Sequence, residues 1–164
     1  MEFTNVIRKV TEGTAVCTGT PGEIFPLLCP VREYDWIDNW SCDMVYSSSG
    51  IAELGCVFRH DGGWGVETWT VTGYEPDTAI SFVRVLDGMW VVTLELTLTP
   101  ASPATTELRG KATVTALGPK GAELLRTRPV EEVSLSFEGL FTTLDHYLRT
   151  GKKILLQEVK PTAS

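Results

Sequence analysis

Apolar and polar residues alternate along the middle of this chain. Trp90, Val92, Leu94, Leu96 and Leu98 interleave with Val91, Thr93, Glu95, Thr97 and Thr99. Leu108, Gly110, Ala112, Val114 and Ala116 interleave in the same way with Glu107, Arg109, Lys111, Thr113 and Thr115. Period two with one apolar face predicts antiparallel strands packed on one side and wet on the other. CDMVYS puts Cys42, Met44 and Tyr46 on one face, and AELGCVF does so for Ala52, Leu54, Cys56 and Phe58. Turn chemistry falls at SSSG (47–50), DGGWG (61–65), YEPDT (74–78), LDG (86–88) and TPASPAT (99–105). That punctuation predicts a hairpin-joined meander of six strands after residue 40, with residues 5–19 supplying a first strand.

The period then changes. Val133, Phe137, Leu140, Phe141, Leu144 and Leu148 fall on one stripe of a helix, with Glu131 and Glu132 in its first turn and Lys152 and Lys153 beyond its last. Pro129 suits the start and Gly151 the end, which predicts one helix of about 20 residues. GPKG (118–121) lacks the GK[ST] ending of a phosphate loop and reads as a loop before this helix. Near the N-terminus, Thr20, Pro21 and Glu23 form a capping-box pattern that opens a short helix over 21–28. Pro30 starts a second, running to about Asn39, which carries Arg32, Trp36 and Trp40 one turn apart.

Composition narrows the function classes. The 164 residues, 43% hydrophobic and 21% charged, fit one globular domain. A net charge of −7 argues against nucleic acid and against an anionic membrane surface. No apolar run is long enough for a spanning helix, and MEFTNVIRKVTEG has no signal-peptide core, so a cytoplasmic location is expected. Cys17, Cys29, Cys42 and Cys56 contain no CxxC pair and read as core fillers rather than as a disulfide framework or metal site. No metal, nucleotide or flavin motif stands out, and neither His60 nor His146 has a neighbouring acid or nucleophile that suggests a triad. No cofactor is expected.

Strand, two short helices, six-stranded meander and long C-terminal helix is the element order of the helix-grip fold. Through IFPLLCPVREYDWIDNW (24–40), CDMVYSSSGIAELGCVF (42–58), ETWTVTGYEP (67–76), ISFVRV (80–85) and LDHYLRTGKK (144–153), the chain resembles the START/Bet v 1-like (SRPBCC) superfamily. It is most similar to its uncharacterised bacterial and polyketide cyclase-like members. The resemblance implies an α+β fold, with a curved seven-stranded antiparallel sheet wrapped around the C-terminal helix. It also implies a cavity between sheet and helix, beside the 29–40 segment. One domain, 1–153, and a tail, 154–164, are expected.

The candidate site follows from that fold. Trp36 and Trp40 read either as a hydrophobic plug or as cavity lining, and Arg32 and Glu33 as solvated or paired. If Arg32 or Glu33 faced the cavity, it would orient a ligand's polar end, so Glu33 joins the candidates, and Tyr34 beside it is a further one. Glu67 shares a face with Trp69, and Arg84 shares one with Ile80 and Phe82. If those faces are inward, Glu67 is a candidate acid or base with Arg84 as its partner. Because buried glutamate is rare, the sequence favours a wet Glu67. Trp69, Phe82, Trp90, Phe137 and Phe141 supply the aromatic lining. The expected function is non-enzymatic binding of a small hydrophobic ligand. The alternative is a polyketide cyclase/dehydratase-like enzyme using the same cavity, with Glu67, Arg84 or Tyr34 handling protons. A homodimer is left open.

Overall fold

The structure, a computed structural model, describes residues 6–155. The start of the predicted first strand and the tail beyond 155 lie outside them. Strand β1 (Arg8–Thr18) leads into helix α1 (Pro21–Ile24) and a 3-10 turn over Phe25–Leu28. The meander follows: β2 (Asp43–Tyr46), β3 (Val57–Asp61), β4 (Val66–Glu75), β5 (Ala79–Leu86), β6 (Trp90–Ser102) and β7 (Thr105–Ala116). Helices α2 (Pro119–Thr127), α3 (Val130–Val133) and α4 (Phe137–Thr150) close the chain.

All seven strands form one curved antiparallel sheet in the order β1-β7-β6-β5-β4-β3-β2. The alternation in β6 becomes burial directly: Trp90, Val92, Leu94, Leu96 and Leu98 are buried, while Thr93, Glu95 and Thr97 are exposed. Each such buried side chain contributes roughly 1.5–3 kcal/mol. On the concave face they meet Phe137, Phe141 and Leu144 of α4, which the sheet grips. Gly13 and Gly110 pair across β1 and β7, and a Cβ at either would run into Phe137. The two glycines thus form the slot that seats the start of α4. At the N-terminus the capping box forms as expected: Thr20 Oγ1 accepts from Glu23 N (3.3 Å) and Glu23 Oε2 from Thr20 N (2.7 Å).

Four local expectations are corrected. The helix predicted from Pro30 to Asn39 is a single 3-10 turn, Glu33–Asp35, within irregular chain. Short backbone turns hold it, such as Glu33 N donating to Cys29 O (3.0 Å) and Ile37 N to Glu33 O (2.8 Å), and two indoles tie it down, with Trp36 Nε1 donating to Leu27 O and Trp40 Nε1 to Pro30 O, each at 2.8 Å. The strand read over AELGCVF begins only at Val57, and Leu54 stands 66% exposed. GPKG is not a loop but the start of α2, whose Gly121 packs against the backbone of Met89. The long helix is broken: α3 ends at Ser134 (φ −96°, ψ −98°), and Ser136 restarts the chain as the cap of α4, its hydroxyl accepting from Gly139 N at 3.1 Å. Serine hydroxyls compete for backbone donors in this way, which suits caps rather than helix interiors. After α4, Gly151 takes the left-handed conformation (φ 69°) that ends the helix. Ile154, placed in the tail by sequence, then pairs in parallel with Ile37.

Candidate functional site

The broken helix and the irregular 30–40 segment leave a cavity of about 240 Å³ over the concave sheet. Its floor is Phe58 of β3, Trp69 of β4, Phe82 and Arg84 of β5, and Leu94 and Leu96 of β6. Pro30, Glu33, Ile37 and Trp40 cover it from one side, and Val133, Ser134, Leu135 and Leu140 from the other. Gly62 and Glu132 are exposed and mark the mouth, where His60 stacks on Trp40 with ring centroids 4.1 Å apart.

The floor is an aromatic cluster. Phe58 and Trp69 stack at 5.4 Å, and Phe82 meets Trp69 edge-on at 5.8 Å. Strand parity accounts for this, because Phe58 pairs with Trp69 and Phe82 with Val71 in the register of β3, β4 and β5. The guanidinium of Arg84 lies over the Trp69 ring, 5.2 Å from its centroid.

Beneath the floor sits a buried ion pair. Glu67 is 1% exposed and Arg84 4%, and Arg84 Nη1 donates to Glu67 Oε2. The other carboxylate oxygen, Oε1, accepts from Trp90 Nε1 at 3.0 Å, and Arg84 Nη2 donates to Ser134 Oγ at 3.4 Å. This corrects the expectation of a wet Glu67. The rarity of buried glutamate is overridden because a cation and an indole N–H converge on it. Among the described residues, Arg84 Nε and Trp69 Nε1 are buried with no hydrogen-bond partner.

Glu33 is the second acid at the cavity. It is half-buried, no described side chain makes a hydrogen bond or ion pair to its carboxyl, and burial pushes that carboxyl up to about 8. Arg32, one residue earlier, is exposed and bound to Asp35 at 2.8 Å, as its sequence neighbours suggested.

The structure therefore gathers Glu33, Trp40, Trp69, Phe82 and Arg84 around one cavity. Glu67 and Trp90 act behind the wall, through Arg84. Trp36 is wholly buried beside Leu27, and Phe137 and Phe141 fill the core under α4. Tyr34 is 44% exposed, and its hydroxyl bridges to Cys42, accepting from the amide (2.9 Å) and donating to the carbonyl (3.2 Å). Sequence reasoning missed Phe58, His60, Leu94 and Leu96 as lining, although parity had already put Leu94, Leu96 and Phe58 on inner faces. It also missed Ser134 and Leu135, which reach the cavity only because the helix breaks there. Cys17, Cys29 and Cys56 are buried and Cys42 half-buried, all as free thiols. Among the described residues no three His, Cys, Asp or Glu side chains are grouped so as to hold a metal ion, and no helix is long and apolar enough to cross a membrane.

No protein-family model and no curated protein matches this sequence. Solved structures do match in fold. Protein MLL2253 from Mesorhizobium loti is 19% identical, with a TM-score of 0.62 over 87% of this chain and 98% of that one. The protein Ara h 8.0201 is 14% identical at TM-score 0.61, covering 87% and 99%. Norcoclaurine synthase from Thalictrum flavum, a point mutant solved with a transition-state analogue, is 7% identical at TM-score 0.64, covering 90% and 98%. At these identities the likeness is one of architecture, a seven-stranded antiparallel sheet gripping a C-terminal helix.

Proposed function

On this Bet v 1-like helix-grip fold, we propose that the protein holds a small hydrophobic molecule in the cavity between sheet and C-terminal helix, without converting it. The observation that carries this reading is the cavity itself: about 240 Å³, walled by Phe58, Trp69, Phe82, Leu94 and Leu96, with Glu33 and Arg84 among its few polar residues. Binding sites for small apolar ligands have this make-up. Titration with the polarity-sensitive probe N-phenyl-1-naphthylamine should give one saturable site per chain, with fluorescence lost again on adding a hydrophobic competitor. Native mass spectrometry of freshly purified protein should show an added mass that disappears on unfolding. No saturable probe binding and a bare native mass together would overturn the reading.

One observation favours the enzymatic alternative of a cyclase or dehydratase. Glu33 lines the cavity with no hydrogen-bond or ion-pair partner for its carboxyl among the described residues, and that carboxyl, pushed up to about 8, is near the protonation balance that suits a general acid or base at neutral pH. Glu67 is committed to Arg84 and Trp90, and Tyr34 stands outside the cavity, so the proton-handling role passes to Glu33. Should a reactive ligand be identified, loss of turnover in Glu33→Gln with unchanged affinity would support catalysis. Equal turnover in both proteins would remove Glu33 from the mechanism.

A further inference from the structure

The groups left open in the cavity wall state what its ligand should carry, given that the cavity binds a hydrophobic molecule at all. Four lining residues bear charged or titratable groups: Glu33, His60, Arg84 and Glu132. Two of them are already paired, Arg84 with the buried Glu67 and Glu132 with Arg128 at the mouth (3.2 Å). The other two are open. Among the described residues no side chain makes a hydrogen bond or ion pair to the Glu33 carboxyl: Arg32 beside it is bound to Asp35, and Lys153 Nζ donates to the backbone carbonyl of Tyr34 (3.4 Å). His60 Nδ1 lies 2.8 Å from Ser41 O. A carbonyl only accepts, so Nδ1 carries the hydrogen, and Nε2 of the neutral ring is left as an acceptor. Neither the Glu33 oxygens nor His60 Nε2 are among the described polar atoms that are buried without a partner. Both residues are half-buried and line the cavity, so these acceptors can be reached from it.

The one uncompensated charge of the lining is therefore an acid. A carboxylate with no cation in an apolar setting is costly, which is why burial pushes Glu33 up to about 8. A ligand ammonium beside it favours the ionised form and makes a charge-assisted hydrogen bond. An anionic headgroup would meet no free arginine or lysine among the lining residues. Size narrows the class further. An apolar cavity of about 150 Å³ is enough for benzene, so one of about 240 Å³ suits one or two fused rings. Phe58, Trp69 and Phe82 offer them faces and edges to pack on.

We propose that the cavity selects a hydrophobic amine of one or two rings, its protonated nitrogen donating to the Glu33 carboxylate. This rests on the binding reading above and adds the ligand's chemistry to it. The test is equilibrium dialysis of the full chain against three matched probes: 2-(aminomethyl)naphthalene, 2-ethylnaphthalene and 2-naphthoate. At pH 8 the Glu33 carboxyl is about half ionised and the amine is still protonated. The amine should bind at least about tenfold more tightly than either the hydrocarbon or the carboxylate, the advantage of one hydrogen bond to a charged partner. In Glu33→Gln, which keeps the shape and removes the charge, the ratio of amine to hydrocarbon affinity should fall toward one. Equal binding of amine and hydrocarbon, or an unchanged ratio in Glu33→Gln, would overturn the amine assignment and leave the binding reading standing. Tightest binding by the carboxylate would also overturn it, because the charge balance of the wall would then be misread. If none of the three binds, the hydrophobic-binding reading falls and this one falls with it. The comparison in the wild-type protein decides the matter even if the variant does not fold.

Discussion

Separating the Glu67–Arg84 pair should cost more than removing it. In Glu67→Gln the side-chain shape is kept and an amide oxygen remains for Trp90 Nε1, but Arg84 is left as a buried cation with a weak contact to Ser134 and the face of Trp69. In Arg84→Met the stem is kept and Glu67 becomes a buried carboxylate with one indole donor. Breaking one side of such a pair costs about 3–5 kcal/mol, because the survivor's desolvation is no longer offset. The double variant buries no net charge and should be less destabilised than either single one. Urea unfolding measures this. With a slope of about 2 kcal/mol/M, each single variant should lower the midpoint by about 2 M, and the double by less. The coupling energy should exceed about 2 kcal/mol, at the upper end for contacting residues. If the two single effects simply add, or if Glu67→Gln costs under about 1 kcal/mol, the pair is not desolvated as the structure has it. The reasoning about the cavity wall would then fail with it.

Two further outcomes can be checked. The Glu33 carboxyl holds its proton up to about pH 8 in the folded chain, against an ordinary value of 4.5. Between those pH values the folded state binds more protons than the unfolded one, so this group's contribution to stability falls as pH rises, by at most about 1.4 kcal/mol per pH unit. Glu33→Gln should therefore gain stability relative to wild type between urea melts at pH 5 and pH 8, and an identical difference at both values would refute the burial of Glu33. Gly110→Ala puts a methyl group into the ring of Phe137 and should cost about 1–3 kcal/mol by overpacking. Combining it with Phe137→Leu should recover part of that loss in a thermal melt, and a harmless Gly110→Ala would mean that α4 does not seat in the slot.

Most of the architecture was legible along the chain, because it rests on local periodicity. The alternation of Trp90 to Leu98 against Thr93, Glu95 and Thr97 becomes one buried and one exposed face whatever the rest of the chain does. The capping box of Thr20 and Glu23, and Gly151 at the end of α4, are likewise decided within a few residues. Elements failed where periodicity was absent or shared with another cause. The segment CPVREYDWIDNW mixes tryptophan with charge because each side chain has a separate task. Trp36 and Trp40 clamp backbone carbonyls, Arg32 pairs with Asp35, and Glu33 faces the cavity. A helical reading of its spacing had no way to see those partners.

The site itself was decided by tertiary structure. Parity could put Glu67 on the face of Trp69, and Arg84 on that of Phe82, but not say how deep either lay. Depth came from the pairing of Trp69 with Arg84 across β4 and β5, and from Trp90 on the adjacent strand β6. Ser134 and Leu135 reach the cavity because α3 stops and the chain restarts at the Ser136 cap of α4, a break that a stripe of apolar residues does not reveal. The sequence by itself determined the sheet, its inner face and the helix that it grips, since these follow from repeats of two and of 3.6 residues. Tertiary structure alone decided that the grip stops short of full closure, and which charges stand at the space left open. That depends on the cost of burying each charge, which is set by partners distant in sequence.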